Sequence, residues 1–182
     1  MQALIIIDMQ HWMFRLAERG RQLPLLVPRI NALAEKFVAA GLPVFDVRTF
    51  HKAGRSTWSR LMLKHDYPCL IEGTFDAEPV EGLEVPAAAQ QVSKTRNSVF
   101  LWTDLGERLR KARVDTLAIC GVFIEACVGL SASDAEQQGY EVTLVDDAIG
   151  HRSETTRSAF FEWLVFSYES KIVDTKTLIG GL

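Results

Sequence analysis

The sequence predicts an α/β domain built on a doubly wound parallel sheet, with helices on both faces. Three observations carry this. Leu4-Ile5-Ile6-Ile7 and Thr116-Leu117-Ala118-Ile119-Cys120 are apolar runs too short for helices, as expected of strands covered on both sides. Between such runs lie segments with apolar residues at helical spacing. Strands alternating with helices build parallel sheets, and right-handed crossovers then place helices on both faces.

Leu4–Ile7 forms the first strand. From Pro24 to Ala40, Leu26, Ile30, Leu33, Phe37 and Val38 recur at helical spacing, and Gly41 with Pro43 beyond it stops the helix. Pro43–Arg48 reads as the second strand, and Gln91-Val92-Ser93, ending in Lys94, as the third. Thr103-Asp104 opens a helix to Ala112, with Asp104 a carboxylate at its N-terminus. Thr116–Cys120 is the fourth strand and leads into a helix reaching Gly139, with Cys127 in its first turn. Glu141–Val145 is the fifth strand, Ser153–Phe166 a helix with Ser153 as N-cap, and Lys171–Val173 a short sixth strand. His51 to Pro86 shows little periodicity beyond a helical patch at Trp58–Met62. A loop that long is usually functional, so residues 51–86 are expected to be a pocket wall or lid, or else a dimer contact.

With 182 residues the chain fits one domain, spanning 1–182. Its 48% apolar and 24% charged residues are ordinary for a globular protein, and a net charge of -3 provides no basic footprint for nucleic acid. A small-molecule partner is expected instead. Apolar runs stop well short of the roughly 18 residues of a membrane helix. The first strand begins about two residues from Met1, leaving no room for a secretory leader. The three cysteines, Cys69, Cys120 and Cys127, have no zinc-type spacing. A cytoplasmic protein without cofactor or membrane partner is expected.

Three residues stand at predicted strand ends: Asp8, Lys94 and Cys127. In an open parallel sheet such ends can meet at one crevice, and these three supply a proton shuttle, a cation and a nucleophile. A first-turn cysteine meets free backbone N–H groups and the positive end of the helix dipole, which favour thiolate. Singly, Asp8 reads as a helix cap, Lys94 as a solvated strand end and Cys127 as core.

The chain resembles the isochorismatase-like cysteine hydrolases, which include nicotinamidases and N-carbamoyl amidohydrolases. Asp8-Met9-Gln10 resembles the family's first strand end, and Lys94-Thr95-Arg96-Asn97-Ser98-Val99-Phe100 its lysine segment. Gly121-Val122 through Cys127-Val128, with Ser133-Asp134-Ala135 and Gly139-Tyr140, is similar to its nucleophile segment. Glu72-Gly73-Thr74 with Leu83 resembles the stretch before the lysine strand. The resemblance implies strand order 3-2-1-4-5-6 and a triad of Asp8, Lys94 and Cys127. It also implies an oxyanion hole from the backbone N–H groups of Phe123 and Cys127, and a cis peptide between Val122 and Phe123. By the same likeness the protein would be a dimer or tetramer.

Nicotinamidases carry an Asp-x-His metal pair after the second strand. Here the equivalent is Thr49-Phe50-His51, so no metal is expected. Ile124 replaces the Thr that many relatives carry three residues before the cysteine. Trp12, Phe14, His51, Trp58, Trp102 and Ile124 are candidate pocket residues; Arg48, Arg55, Arg96 and Arg152 could bind a substrate carboxylate, Arg96 more naturally serving a structural ion pair. The leading expectation is a metal-independent cysteine hydrolase cleaving a C–N bond of a small amide, ureido or carbamoyl compound. A vinyl ether hydrolase of the isochorismatase type, and a non-catalytic binding protein on this scaffold, are the alternatives. A receiver-like signalling domain would lack its phosphate-accepting aspartate.

Overall fold

The protein, described over all 182 residues by a computed structural model, is organised around a six-stranded parallel sheet. The strands are β1 (Gln2–Ile7), β2 (Val44–Thr49), β3 (Gln90–Lys94), β4 (Thr116–Gly121), β5 (Glu141–Ile149) and β6 (Lys171–Val173). Their order is β3-β2-β1-β4-β5-β6, so the winding reverses between β1 and β4. There Ile7 lies opposite Gly121. Gly121 has φ of 105°, and a Cβ on it would come within 2.2 Å of the Ile7 carbonyl oxygen. Only glycine lets the two strand ends approach this closely.

Two apolar layers sandwich the sheet. Helix α2 (Leu23–Ala39) buries Leu26, Ile30, Leu33 and Phe37 on the face carrying Leu4, Ile6 and Cys120. The helices α4 (Leu105–Lys111), α5 (Gly129–Gln137) and α6 (Glu154–Tyr168) cover the opposite face, where Ile5, Ile7, Val92 and Ile119 lie. Alternation along β1 therefore divides one run of apolar residues between two cores.

Local chemistry explains most boundaries. The Ser153 hydroxyl accepts from the Thr156 N–H at 3.1 Å, capping α6 as expected. Asp104 precedes α4 without capping it; its carboxylate instead pairs with Arg108 one turn on, at 2.8 Å. Strand β5 continues four residues beyond the expected Val145, because a register shift between Ile119 and Gly121 brings Gly121 opposite Ile149. The short helices α1 (Ala17–Gly20) and α7 (Thr175–Gly180) escape periodicity analysis through their length, while α3 (Arg60–His65) overlaps the expected helical patch at Trp58–Met62, shifted toward the C-terminus. The Thr175 N–H and hydroxyl are anchored on Asp147, at 2.8 and 2.7 Å.

Residues 51–86 are tied down rather than loose. His51 donates its N–H to the Leu70 carbonyl and accepts from Glu72 N–H, and Gln10 bridges to Pro79. This segment lies against the C-terminal ends of β1 and β2, with the Val80 N–H donating to the Met9 carbonyl next to Asp8. No helix is long and apolar enough to cross a membrane.

Candidate active site

At the switch point Asp8, at φ of 54°, ends β1, a conformation Asp tolerates better than most residues. Its carboxylate is fully buried and caps no helix. Oδ2 accepts from Lys94 Nζ at 2.7 Å, and Oδ1 from the Thr49 hydroxyl at 2.9 Å. Lys94, at the end of β3, is 1% exposed. Besides Asp8, its ammonium contacts Thr49 Oγ1 at 2.7 Å, the Arg96 carbonyl at 3.1 Å and Cys127 Sγ at 3.4 Å. The fold thus brings Asp8, Lys94 and Cys127 into one cluster, with Lys94 in the middle.

Cys127 does not sit in the first turn of a helix, as the sequence suggested. It lies in a wide turn, Ile124–Val128, two residues before α5, and Ala126 inside that turn is far from helical (φ −145°, ψ −109°). The turn is tight against α5: a Cβ on Gly129 would meet the Ile124 carbonyl oxygen at 2.2 Å. Ser131 holds the Cys127 carbonyl at 2.5 Å and Val99 N–H donates to the same hydroxyl at 3.0 Å. Asn97 Oδ1 lies 3.8 Å from the sulfur. The Val122–Phe123 peptide is cis, and the Phe123 N–H has no acceptor within the protein.

The electrostatics also differ from expectation. Burial and then the Asp8 carboxylate push the Cys127 thiol up to about 12, against the pull of Lys94. Charge counting gives the reason: Asp8 already neutralises Lys94, so ionising the thiol would leave a net negative charge in a dry cluster. For Lys94, burial is the largest influence and disfavours the ammonium, but Asp8 and Cys127 together outweigh it and hold the group above the usual lysine value. Cys127 adds to that only once it ionises.

Thr49 is the residue that sequence reasoning missed. It was read only as the loss of a metal ligand, yet its hydroxyl donates to Asp8 while accepting from Lys94. Gln10 fixes it there, accepting from Thr49 N–H at 2.9 Å and donating to the Thr49 and Ala77 carbonyls at 2.9 and 2.7 Å. His51 is buried, and its Nδ1 donates to the Thr57 carbonyl at 3.0 Å. Burial lowers its pKa, against the pull of the Thr57 carbonyl, with Arg96 and Lys94 acting in the same sense as burial. No three His, Cys, Asp or Glu side chains gather in a metal-binding arrangement. The residues present therefore do not fit the metal that the nicotinamidase pattern implies.

The candidate pocket residues separate. Phe14 packs on Phe123 at 6.1 Å between ring centres, and Trp12 packs against a small cluster of Trp58, Met62 and Cys69. Ile124 has no exposed surface and packs into the α5–α6 core beside Cys127. Trp102 is 73% exposed and borders a surface cavity of about 570 Å³ with Ser93, Asp104 and Gln138, on the α4 side. It belongs to that surface because it turns the chain into α4, at φ of 62°. Among the arginines, Arg48 is committed to buried Asp46 and Arg55 to Asp66. Arg96 makes no ion pair; it donates to the Thr57 and Thr95 carbonyls and stacks on Trp102, 4.5 Å from the ring centre.

The isochorismatase domain model matches residues 2–176. The chain belongs to the isochorismatase family. By that membership it is a hydrolase. It is 29% identical over 158 residues to the uncharacterized isochorismatase family protein YecD of Escherichia coli O157:H7, covering 80% of this chain and 78% of YecD. Nicotinamidase 3 of Arabidopsis thaliana is 28% identical over 184 residues, covering 99% and 88% of the two chains. A cysteine hydrolase from Pseudomonas syringae pv. phaseolicola 1448A superimposes with a TM-score of 0.89 at 22% identity, over 98% of this chain and 91% of that one, a likeness of fold. The same six-strand order thus recurs across this isochorismatase-family hydrolase and its relatives.

Proposed function

We propose that the protein is a cysteine amidohydrolase that cleaves a C–N bond of a small amide, ureido or carbamoyl compound without a metal. The observation that carries this reading is the buried Lys94 ammonium bonded to Asp8 at 2.7 Å and in contact with the Cys127 sulfur at 3.4 Å. As Cys127 Sγ adds to the carbonyl carbon, its proton passes to Asp8, so the thiolate exists only along the attack and the cluster keeps its charge balance. The oxyanion is received by the Phe123 and Cys127 N–H groups. Asp8 then protonates the departing nitrogen as the C–N bond breaks, leaving a thioester. Water, deprotonated by Asp8, adds to that thioester, and the acid leaves as the sulfur regains its proton. Lys94 stays charged throughout.

The test is a screen of small amides and carbamoyl compounds for ammonia release, with Cys127→Ala as the blank and intact-mass detection of an acyl adduct on wild type. Ammonia released equally by Cys127→Ala would sink the thioester route. No ammonia from any amide, with a carbonyl compound released from a vinyl ether, would instead favour the vinyl ether alternative.

Thr49 acts here as a positioning residue. Thr49→Val keeps the shape but removes a donor to Asp8 and an acceptor for Lys94, so it should cost about 1–3 kcal/mol of stability. Turnover should fall on the order of tenfold with KM little changed, and Thr49→Ser should restore both. A Thr49→Ser variant as slow as Thr49→Val would exclude the hydroxyl as the cause.

Metal independence is tested by chelation. Protein treated with a strong chelator should keep its activity and melting temperature, and elemental analysis should find far less than one zinc, iron or manganese per chain. Activity lost on chelation and restored by one ion would overturn this part of the reading.

A further inference from the structure

The segment Lys94–Phe100 carries one side chain beside the nucleophile that the proposed mechanism leaves idle. Asn97 Oδ1 lies 3.8 Å from Cys127 Sγ, and the carboxamide makes no other hydrogen bond. The remaining polar side chains around the sulfur are Lys94, whose ammonium lies 3.4 Å away, and Asp8. Both are closed off from solvent, whereas Asn97 is exposed. A molecule arriving at the sulfur from solvent therefore meets an uncommitted carboxamide.

The backbone that carries Asn97 is fixed on both sides. Ahead of it, the Arg96 carbonyl accepts from Lys94 Nζ at 3.1 Å, and the Arg96 guanidinium donates to the Thr57 carbonyl at 2.8 Å. Beyond it, the Val99 N–H donates at 3.0 Å to the Ser131 hydroxyl, which in turn holds the Cys127 carbonyl at 2.5 Å. One tie ends on Lys94 and the other on Cys127, so the backbone of Asn97 keeps its place relative to the sulfur while the side chain stays free to pair with a ligand. A group held in place in advance loses little on binding.

What this carboxamide can do follows from the state of the sulfur. In the resting thiol the S–H is a weak donor and Oδ1 an acceptor for it. In the proposed reaction the thiol proton passes to Asp8, so Oδ1 loses that donor as the sulfur bonds to the carbonyl carbon. The scissile nitrogen is attached to the same carbon. A hydrogen on that nitrogen replaces the S–H, while a nitrogen with two carbon substituents offers Oδ1 nothing. A buried acceptor would discriminate by roughly 10⁴-fold or more between such substrates. Asn97 is exposed and water can stand in, so the expected preference is that of a single net hydrogen bond, on the order of tenfold.

We propose that Asn97 is a specificity-determining residue: Oδ1 accepts an N–H from the nitrogen on the carbonyl carbon that Cys127 attacks. The substrates are then primary amides and ureido or carbamoyl compounds that keep a hydrogen on the departing nitrogen. Amides with two carbon substituents there are turned over poorly. The inference rests on Cys127 being the nucleophile and narrows the amide class of that reading.

Two alkylating reagents of one shape test this without knowledge of the substrate. Iodoacetamide and iodoacetone differ only in NH₂ against CH₃ on the carbonyl carbon. In both, the sulfur displaces iodide, an S–C bond forming as the C–I bond breaks, and the thiol proton goes to the buffer. The NH₂ lies one bond further from the sulfur than a scissile nitrogen does, within reach of an exposed side chain that turns about its own bonds. For each reagent the rate at Cys127, followed by peptide mass mapping, is divided by the rate at glutathione, which removes the intrinsic difference in reactivity. In wild type the normalised rate should be on the order of tenfold higher for iodoacetamide. Asn97→Leu, close in shape, should bring that ratio to about one. Asn97→Asp keeps the acceptor and should retain the ratio, because its charge slows both reagents alike. A ratio near one in wild type would overturn the assignment, a comparison that needs no variant to fold. So would a ratio that survives Asn97→Leu, or one that is lost in Asn97→Asp. Labelling of Cys69 with none at Cys127 by either reagent would instead remove the nucleophile reading, and the role of Asn97 with it.

Discussion

Asp8→Asn should lower turnover by about 100-fold or more and, in the same protein, cost about 3–5 kcal/mol of stability. A general base exposed to solvent could be removed with little harm to the fold. Asp8 is different, because it is fully buried and is the only carboxylate paired with a Lys94 ammonium that is itself 1% exposed. Neutralising the carboxylate strands that ammonium in a dry site, where an unmatched charge is far more costly than an absent pair. The double variant Asp8→Asn/Lys94→Met removes both charges and should therefore recover much of the lost stability while remaining inactive. Urea midpoints and turnover measured on the three proteins together decide the matter. Asp8→Asn with more than a tenth of wild-type turnover would rule out Asp8 as the proton carrier, and a double variant no more stable than the single one would rule out the stranded charge.

Alkylation of Cys127 should rise steadily with pH, by about tenfold per unit from pH 7 to beyond pH 9, with no plateau near neutrality. The thiol is pushed up to about 12 from an ordinary value of 9.0 by burial and then by Asp8, so the thiolate fraction is small throughout this range. The sign has a second consequence. Removing the Asp8 charge leaves Lys94 unmatched beside the sulfur, which favours thiolate. Asp8→Asn should therefore react with iodoacetamide faster than wild type at pH 7–8, on the order of tenfold, even as its turnover collapses. Cys120, fully buried and with its own thiol pushed further up, should react last of the three. A wild-type profile levelling off near pH 7 would show that the resting nucleophile is a thiolate stabilised by Lys94.

These two expectations mark where local reasoning stops. A cysteine just after a strand and before a helix reads as a first-turn residue with a lowered pKa, because the helix dipole is the only field visible along the chain. In the folded protein Ala126 breaks the helical geometry and puts Cys127 two residues ahead of α5, and Asp8, 119 positions away in the chain, dominates its charge environment. Thr49 shows the same limit. One residue type signals the absence of a metal ligand, whereas its role between Asp8 and Lys94 depends on β2 and β3 running side by side, with Thr49 opposite Lys94.

By itself the sequence determined the layered α/β class, the six strands and the larger helices, and the three strand-end residues worth watching. Those follow from periodicity, glycine and proline stops and caps, all written within a few residues of where they act. Only the tertiary structure decided the raised pKa of Cys127, the bridging role of Thr49, and the placement of Ile124 in the α5–α6 core and of Trp102 on the α4 surface. The reason is physical: a pKa and a hydrogen-bond partner depend on burial and on distances of a few ångströms between distant segments, and neither exists until the sheet has closed the two cores around them.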